Sequence, residues 1–253
     1  VSLTYLYCSK FTIREKIIFI IMLALGILSG RSKFYGFFTF SFFIIFYFSS
    51  IKQFKLNFKN GIILTLMVIA MLFVAWKKID LYFYHAITAM DESDKDMIAR
   101  YVLYATSPQI LADYFPFGSG FASFGTYYSG AYYSNIYMEY GIDNVWGMTK
   151  KHYNFIADTF YPSLAQYGIV GILLYLSFWI YIFRKALKFN SKAQDKKYIS
   201  MVLMIIGFFA IEGTTDSTFS THRGFYVLML LGLTLADLKS IHSGEKSVEN
   251  KNH

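Results

Sequence analysis

The sequence predicts an all-α, multi-pass transmembrane bundle of about six spans, carrying one large, partly helical extracytoplasmic loop. Three observations carry this prediction. The 253-residue chain is 55% apolar and 21% aromatic, above the roughly 45–50% apolar content of ordinary globular chains. Its apolar stretches end in basic clusters, and a long aromatic-rich segment divides them. With only three prolines and runs such as Phe37–Phe48, the chain has too much apolar surface to remain disordered.

Apolar spans are expected at Ile17–Ser29, Phe34–Ser50, Gly61–Trp76, Leu164–Phe183, Tyr198–Ile211 and Gly224–Ala236. Only the fourth has the roughly 20 residues that cross a hydrocarbon core unaided. The others need snorkelling Lys and Arg, tilt or flanking aromatics to reach across. The expected organisation is N-terminal membrane helices over 1–76, an extracytoplasmic loop over 77–161, C-terminal membrane helices over 162–238 and a cytoplasmic tail over 239–253.

The formal charge of +8 reads as topology rather than as a nucleic-acid footprint. Of 24 Lys and Arg, 15 fall on one side of the alternating set: Lys10, Arg14, Lys16, Lys52, Lys55, Lys59, the six from Arg184 to Lys197, Lys239, Lys246 and Lys251. The short segments expected on the other side hold Arg31, Lys33 and Arg223. Cytoplasmic loops carry the basic excess, so both termini are expected inside and the large loop outside. The lone Cys8 excludes an internal disulfide framework or a Cys-based metal site.

Within the loop, Asp91–Asp96 reads as a solvated turn with helix-capping residues. Met97, Tyr101, Tyr104 and Ala105 recur at helical spacing, which predicts an amphipathic helix over Asp96–Ala112. Pro116-Phe117-Gly118-Ser119-Gly120 ends it as a turn. From Tyr114 to Tyr153 the segment is crowded with Tyr and Phe and has no clear period.

Several soluble-enzyme motifs are missing from the sequence: there is no phosphate-binding Gly loop, HExxH or Gly-x-Ser-x-Gly elbow. What remains is a set of polar residues on the expected exterior side. Arg31, at the outer end of the first span, reads as a snorkelling anchor or as a guanidinium fork for a phosphate, which suits Arg better than Lys. Arg100 shares a helix face with Tyr104 and Ser107 and is otherwise a solvated charge. Asp158, Thr159 and Ser163 are each able to cap the fourth span. His222 and Arg223 start the last span, where the helix dipole does not favour a cation, and this mismatch points to a ligand or partner. Tyr127, Tyr128, Tyr132, Tyr133 and Tyr137 fit either an interfacial aromatic belt or rings that stack on sugar faces.

Taken together, these segments resemble the O-antigen ligase/polymerase family of bacterial membrane enzymes. Ser29-Gly30-Arg31-Ser32 looks like the family's Gly-Ser-Arg stretch. Arg100 through Phe124, with Pro-Phe-Gly-Ser-Gly-Phe, is similar to its large-loop pattern. Asp158–Gly171 looks like the segment leading into the next helix. The resemblance implies an inverting glycosyl transfer at the outer face of the cytoplasmic membrane, independent of metal or cofactor. The donor would be an undecaprenyl-pyrophosphate-linked glycan, and a chain-length regulator or other polysaccharide-assembly proteins would be partners. It also implies functional roles for Arg31 and Arg100. Ligases of the family carry His-Asn where this chain has Asp158-Thr159, which favours a polymerase and leaves Asp158 as a general base or a cap.

Family members have about twice as many spans, so the chain is expected to be a C-terminal portion of such a protein. Two rival readings remain. One is a transporter or flippase of lipid-linked sugars, which charges in mid-span would favour; Glu212, near a span end, is the nearest such charge. The other is a non-catalytic fragment of such a membrane protein.

Overall fold

The computed structural model describes residues 1–28, 32–50, 62, 69, 95–193 and 196–249. Arg31, the basic stretch over 52–60, nearly all of the expected third span and the acidic residues 91–94 lie outside the described residues.

Every regular element among the described residues is helical. The α-helices are α1 (Ser2–Cys8), α2 (Ile13–Ile27), α3 (Ser32–Phe46), α4 (Lys95–Asp113), α5 (Tyr127–Ala131), α6 (Ile136–Glu139), α7 (Gly168–Ala193), α8 (Lys196–Glu212) and α9 (His222–Glu249). Short 3₁₀ turns occupy Phe48–Ser50, Pro162–Tyr167 and Thr218–Ser220.

Two helical stretches are long and apolar enough to cross a membrane: Pro162–Asn190, with 29 residues, and His222–Gly244, with 23. Only 11% and 28% of their apolar windows are buried within the protein, whereas a core helix of a soluble domain would be mostly covered. α2 and α3 have 15 residues each. At about 1.5 Å per residue they rise roughly 22 Å, short of a hydrocarbon core of about 30 Å. Of the six expected spans, two therefore reach full length among the described residues.

The chain packs as two compact units. One contains Val1–Ala75, Trp179–Phe209 and Gly224–His253. Its α2 opens with a capping box, in which the Glu15 carboxylate accepts from the Thr12 N–H at 2.8 Å. Phe19, Leu23, Ile45, Met201, Val202 and Ile205 are buried in it. Gly207 lets the Phe40 ring lie against α8, since a Cβ there would sit 2.2 Å from that ring. The Tyr7 hydroxyl donates to Asp237 at 2.6 Å, and Lys197 donates to the Ser9 carbonyl at 2.8 Å.

The other unit contains Trp76–Phe178 and Ala210–Arg223. Its α4 covers the helix expected over Asp96–Ala112, with one extra residue at each end. The buried stripe differs from the expected one: Ala99, Leu103, Thr106 and Ile110 face inward, while Ala105 is exposed. The pattern that misled is aromatic rather than aliphatic. Tyr104 turns outward because its hydroxyl reaches the Thr214 carbonyl at 2.9 Å. Pro108 lies inside α4 and has no N–H for the Tyr104 carbonyl one turn earlier. Ser107 Oγ donates to that carbonyl at 3.2 Å instead.

Phe124, Tyr137, Ile142, Met148, Ile156 and Ala165 complete this unit's core. The expected turn at Pro116–Gly120 interlocks with the start of α7. Gly118 and Gly168 both have positive φ, at 78° and 65°. A Cβ on Gly118 would lie 2.3 Å from Gly168 N, and one on Gly168 would lie 2.1 Å from Pro116 O. Only a glycine allows both the left-handed backbone and this approach. The Gly120 N–H donates to Gln166 O at 3.0 Å and the Val170 N–H to Pro116 O at 3.4 Å, closing the contact.

Residues 210–223 join the same unit. The Phe160 and Tyr161 N–H groups both donate to Gly213 O, at 3.1 and 3.3 Å. Phe160, Tyr175 and Phe219 pack as an aromatic cluster with centroids 5.1 to 5.5 Å apart.

Candidate functional site

The polar residues of interest sit where α4, the segment before α7 and the 210–223 segment converge. Arg100 projects from α4, and its Nη2 donates to Asp158 Oδ2 at 2.8 Å. The two side chains are 20% and 29% exposed, so the ion pair is half-sheltered from solvent. Asp158 therefore does not cap the next helix. It precedes α7 by ten residues, and the 3₁₀ turn before α7 starts without a side-chain cap. Ser163 Oγ donates to the Phe160 carbonyl, and Thr159 is buried with its hydroxyl unpartnered.

A second pair lies beside the first. Arg223 Nη2 donates to both oxygens of Asp216, at 3.2 and 3.1 Å. Next to Asp216, Ser217 Oγ donates to the carbonyl of Ala157 at 2.6 Å, one residue before Asp158. Asp216 offsets the unfavourable position of Arg223 at the start of α9, where a cation meets the positive end of the helix dipole. His222 is exposed as the first residue of α9. Burial, with Tyr175 alongside, raises the Tyr161 phenol well above the ordinary tyrosine range, so it donates as a neutral hydroxyl to Ala210 O at 2.8 Å.

The expected tyrosines divide into two groups. Tyr127, Tyr128 and Tyr132 are exposed on and just beyond α5. Tyr128 and Tyr132 stack with centroids 6.5 Å apart and planes 17° apart, and Tyr127 meets Tyr128 edge-on. Tyr133 is half-buried and donates to Met148 O at 2.8 Å. Tyr137 is fully enclosed, so it offers no ring face to a ligand. Its hydroxyl accepts from the Gly125 N–H at 3.0 Å and bonds Ser129 Oγ at 2.7 Å.

Sequence reasoning overlooked Asp216, although it lies in the same short segment as Arg223. It also passed over Trp146, which is exposed and stacks on His152 at 5.5 Å. A lone Trp in an otherwise Tyr-rich loop was the available signal. Among the described residues no group of three or more His, Cys, Asp and Glu is arranged to hold a metal ion.

Chemically, the site offers two guanidinium forks suited to phosphate oxygens, two carboxylates and a separate aromatic ledge. No family model, curated protein or solved structure matches the chain.

Proposed function

We propose that the chain is part of a membrane glycosyltransferase that polymerises or ligates undecaprenyl-pyrophosphate-linked repeat units into a surface polysaccharide. The observation that carries this reading is the Arg100–Asp158 bond. Two residues 58 positions apart, Arg100, which matches a functional arginine of the O-antigen ligase/polymerase family, and Asp158, which stands where the family's ligases carry His, meet at one half-sheltered site.

In this reading the acceptor hydroxyl attacks the anomeric carbon of the donor glycan. Its proton passes to Asp158, and the bond from the anomeric carbon to the pyrophosphate oxygen breaks with inversion. Arg100, with Arg31, stabilises the charge that develops on the departing pyrophosphate. Such preorganised donors typically supply about 3–4 kcal/mol each. Arg223 adds a cation at the same face, and Tyr127, Tyr128 and Tyr132 hold sugar rings. The chain sits in a bacterial cytoplasmic membrane with about six spans, its termini cytoplasmic and the large loop over 77–161, which bears Arg100, outside.

Asp158→Asn tests the proton-transfer step, because the amide oxygen still accepts from Arg100 while proton acceptance is lost. In membranes carrying the full-length protein, this variant should lose long-chain product from lipid-linked repeats while expressing at the parental level. Undiminished polymerisation by Asp158→Asn would remove Asp158 from the chemistry.

A further inference from the structure

We propose that the turn bearing Phe115, Phe117 and Phe121 is a wedge that dips into the bilayer surface beside the outer end of α7. The three rings are 69%, 74% and 80% exposed, a cluster of large apolar surface of the kind that marks an interaction site. No charged residue occurs between Asp113 and Glu139, although exposed loops in water are ordinarily polar.

The turn's position follows from its backbone. The Gly120 N–H to Gln166 O bond, the Val170 N–H to Pro116 O bond and the Gly118–Gly168 interlock fix it against the first turn of α7. Phe121 lies 6.2 Å from Tyr167. Immediately beyond, Val170, Leu173, Leu174 and Leu176 expose apolar side chains along α7. The phenylalanine cluster is thus continuous with the apolar surface of the helix.

Helix length places this junction at the bilayer boundary. From Phe183, the last residue before the basic Arg184, Lys185 and Lys188, a hydrocarbon core of about 30 Å, at about 1.5 Å per residue along α7 and about 2 Å in the 3₁₀ turn before it, ends near Leu164, within the turn whose Gln166 holds the phenylalanine turn. The occupant is therefore the headgroup and upper acyl region of the leaflet, where aromatic rings concentrate. A wedge at this level would hold the α4 unit against the membrane surface, where a lipid-linked substrate presents its headgroup. The inference rests on the reading that α7 crosses a bilayer.

The test is site-directed spin labelling of the full chain in phosphatidylethanolamine/phosphatidylglycerol vesicles. Labels go at Phe117→Cys, Phe121→Cys, Leu174→Cys and Asn154→Cys, each with Cys8→Ser. Oxygen, which concentrates in lipid, and a water-soluble nickel chelate serve as collision probes. The wedge predicts oxygen-favoured collisions at 117, 121 and 174 and chelate-favoured collisions at 154. If 174 is in lipid while 117 and 121 meet the chelate, the wedge fails and the span stands. Low collision with both probes at 117 and 121 means that protein covers them, which also overturns the wedge. A chelate-favoured label at 174 would overturn the spanning helix and the wedge with it.

Discussion

Replacing Gly118 by Ala probes the contact that fixes the turn after α4 to the start of α7. The new Cβ would lie 2.3 Å from Gly168 N and 2.5 Å from the carbonyl oxygens of Ala165 and Gln166. All three are backbone atoms, so no side-chain rotation relieves the overlap. Holding Ala at a left-handed φ costs about 1–2 kcal/mol, and forcing the facing segment aside adds about 1–3 kcal/mol, as overpacking does. Loss of the Gly120–Gln166 hydrogen bond adds about 1 kcal/mol. Together these reach roughly 3–6 kcal/mol, a large share of a typical stability of about 5–15 kcal/mol. Gly141→Ala is the matched control: its φ is +63°, yet nothing lies within 4 Å of its Cβ, so it should cost only about 1–2 kcal/mol. Denaturant titration in detergent micelles, read by tryptophan fluorescence, compares them. Equal destabilisation by the two variants would refute the interlock.

Three further outcomes are expected. Burial pushes the Tyr137 phenol up to about 12. Below the unfolded value near 10 both states stay protonated; between roughly pH 10 and 12 the unfolded state alone loses its proton, so stability falls with pH. Tyr137→Phe should flatten that alkaline limb in a pH series of unfolding curves, and an unchanged slope would contradict the burial argument. A double-mutant cycle of Arg100→Ala and Asp158→Ala should return a coupling of about 1–3 kcal/mol, as for a part-sheltered charge-assisted bond; a coupling near zero would mean that the pair contributes nothing to the fold. Tyr128→Ala and Tyr132→Ala should each change stability by only about 0.5 kcal/mol while weakening glycan binding in a titration with soluble oligosaccharide. Undiminished binding in the double variant would remove the ledge from the sugar path.

Local pattern and long-range contact were not equally legible in the sequence. The periodicity after Lys95 and the turn residues Pro116–Gly120 are local signals, and α4 and the turn appear where those signals put them. The inward face of α4 was not legible, because Tyr101 and Tyr104 count as apolar in a periodic pattern while Tyr104 uses its hydroxyl at Thr214. Tyr137 and Tyr132 lie five positions apart in an aperiodic stretch, and nothing in their spacing separates a core ring from an exposed one. Asp158 resembled a cap because capping depends on nearby residues; its actual partner is 58 positions away. The joining of 210–223 to the loop unit depends on backbone bonds to Gly213, which no composition signal announces.

In the proposed reaction Arg100 acts on the departing pyrophosphate rather than only holding Asp158. The most direct measurement is the glycan length distribution made from lipid-linked repeats by membranes of the full-length protein bearing Arg100→Ala or Arg100→Lys. Both variants should insert and express like the parent. Arg100→Ala should abolish long chains, while Arg100→Lys, a point charge without the bidentate fork, should restore only a small part of them. Parental chain lengths from Arg100→Ala would contradict it.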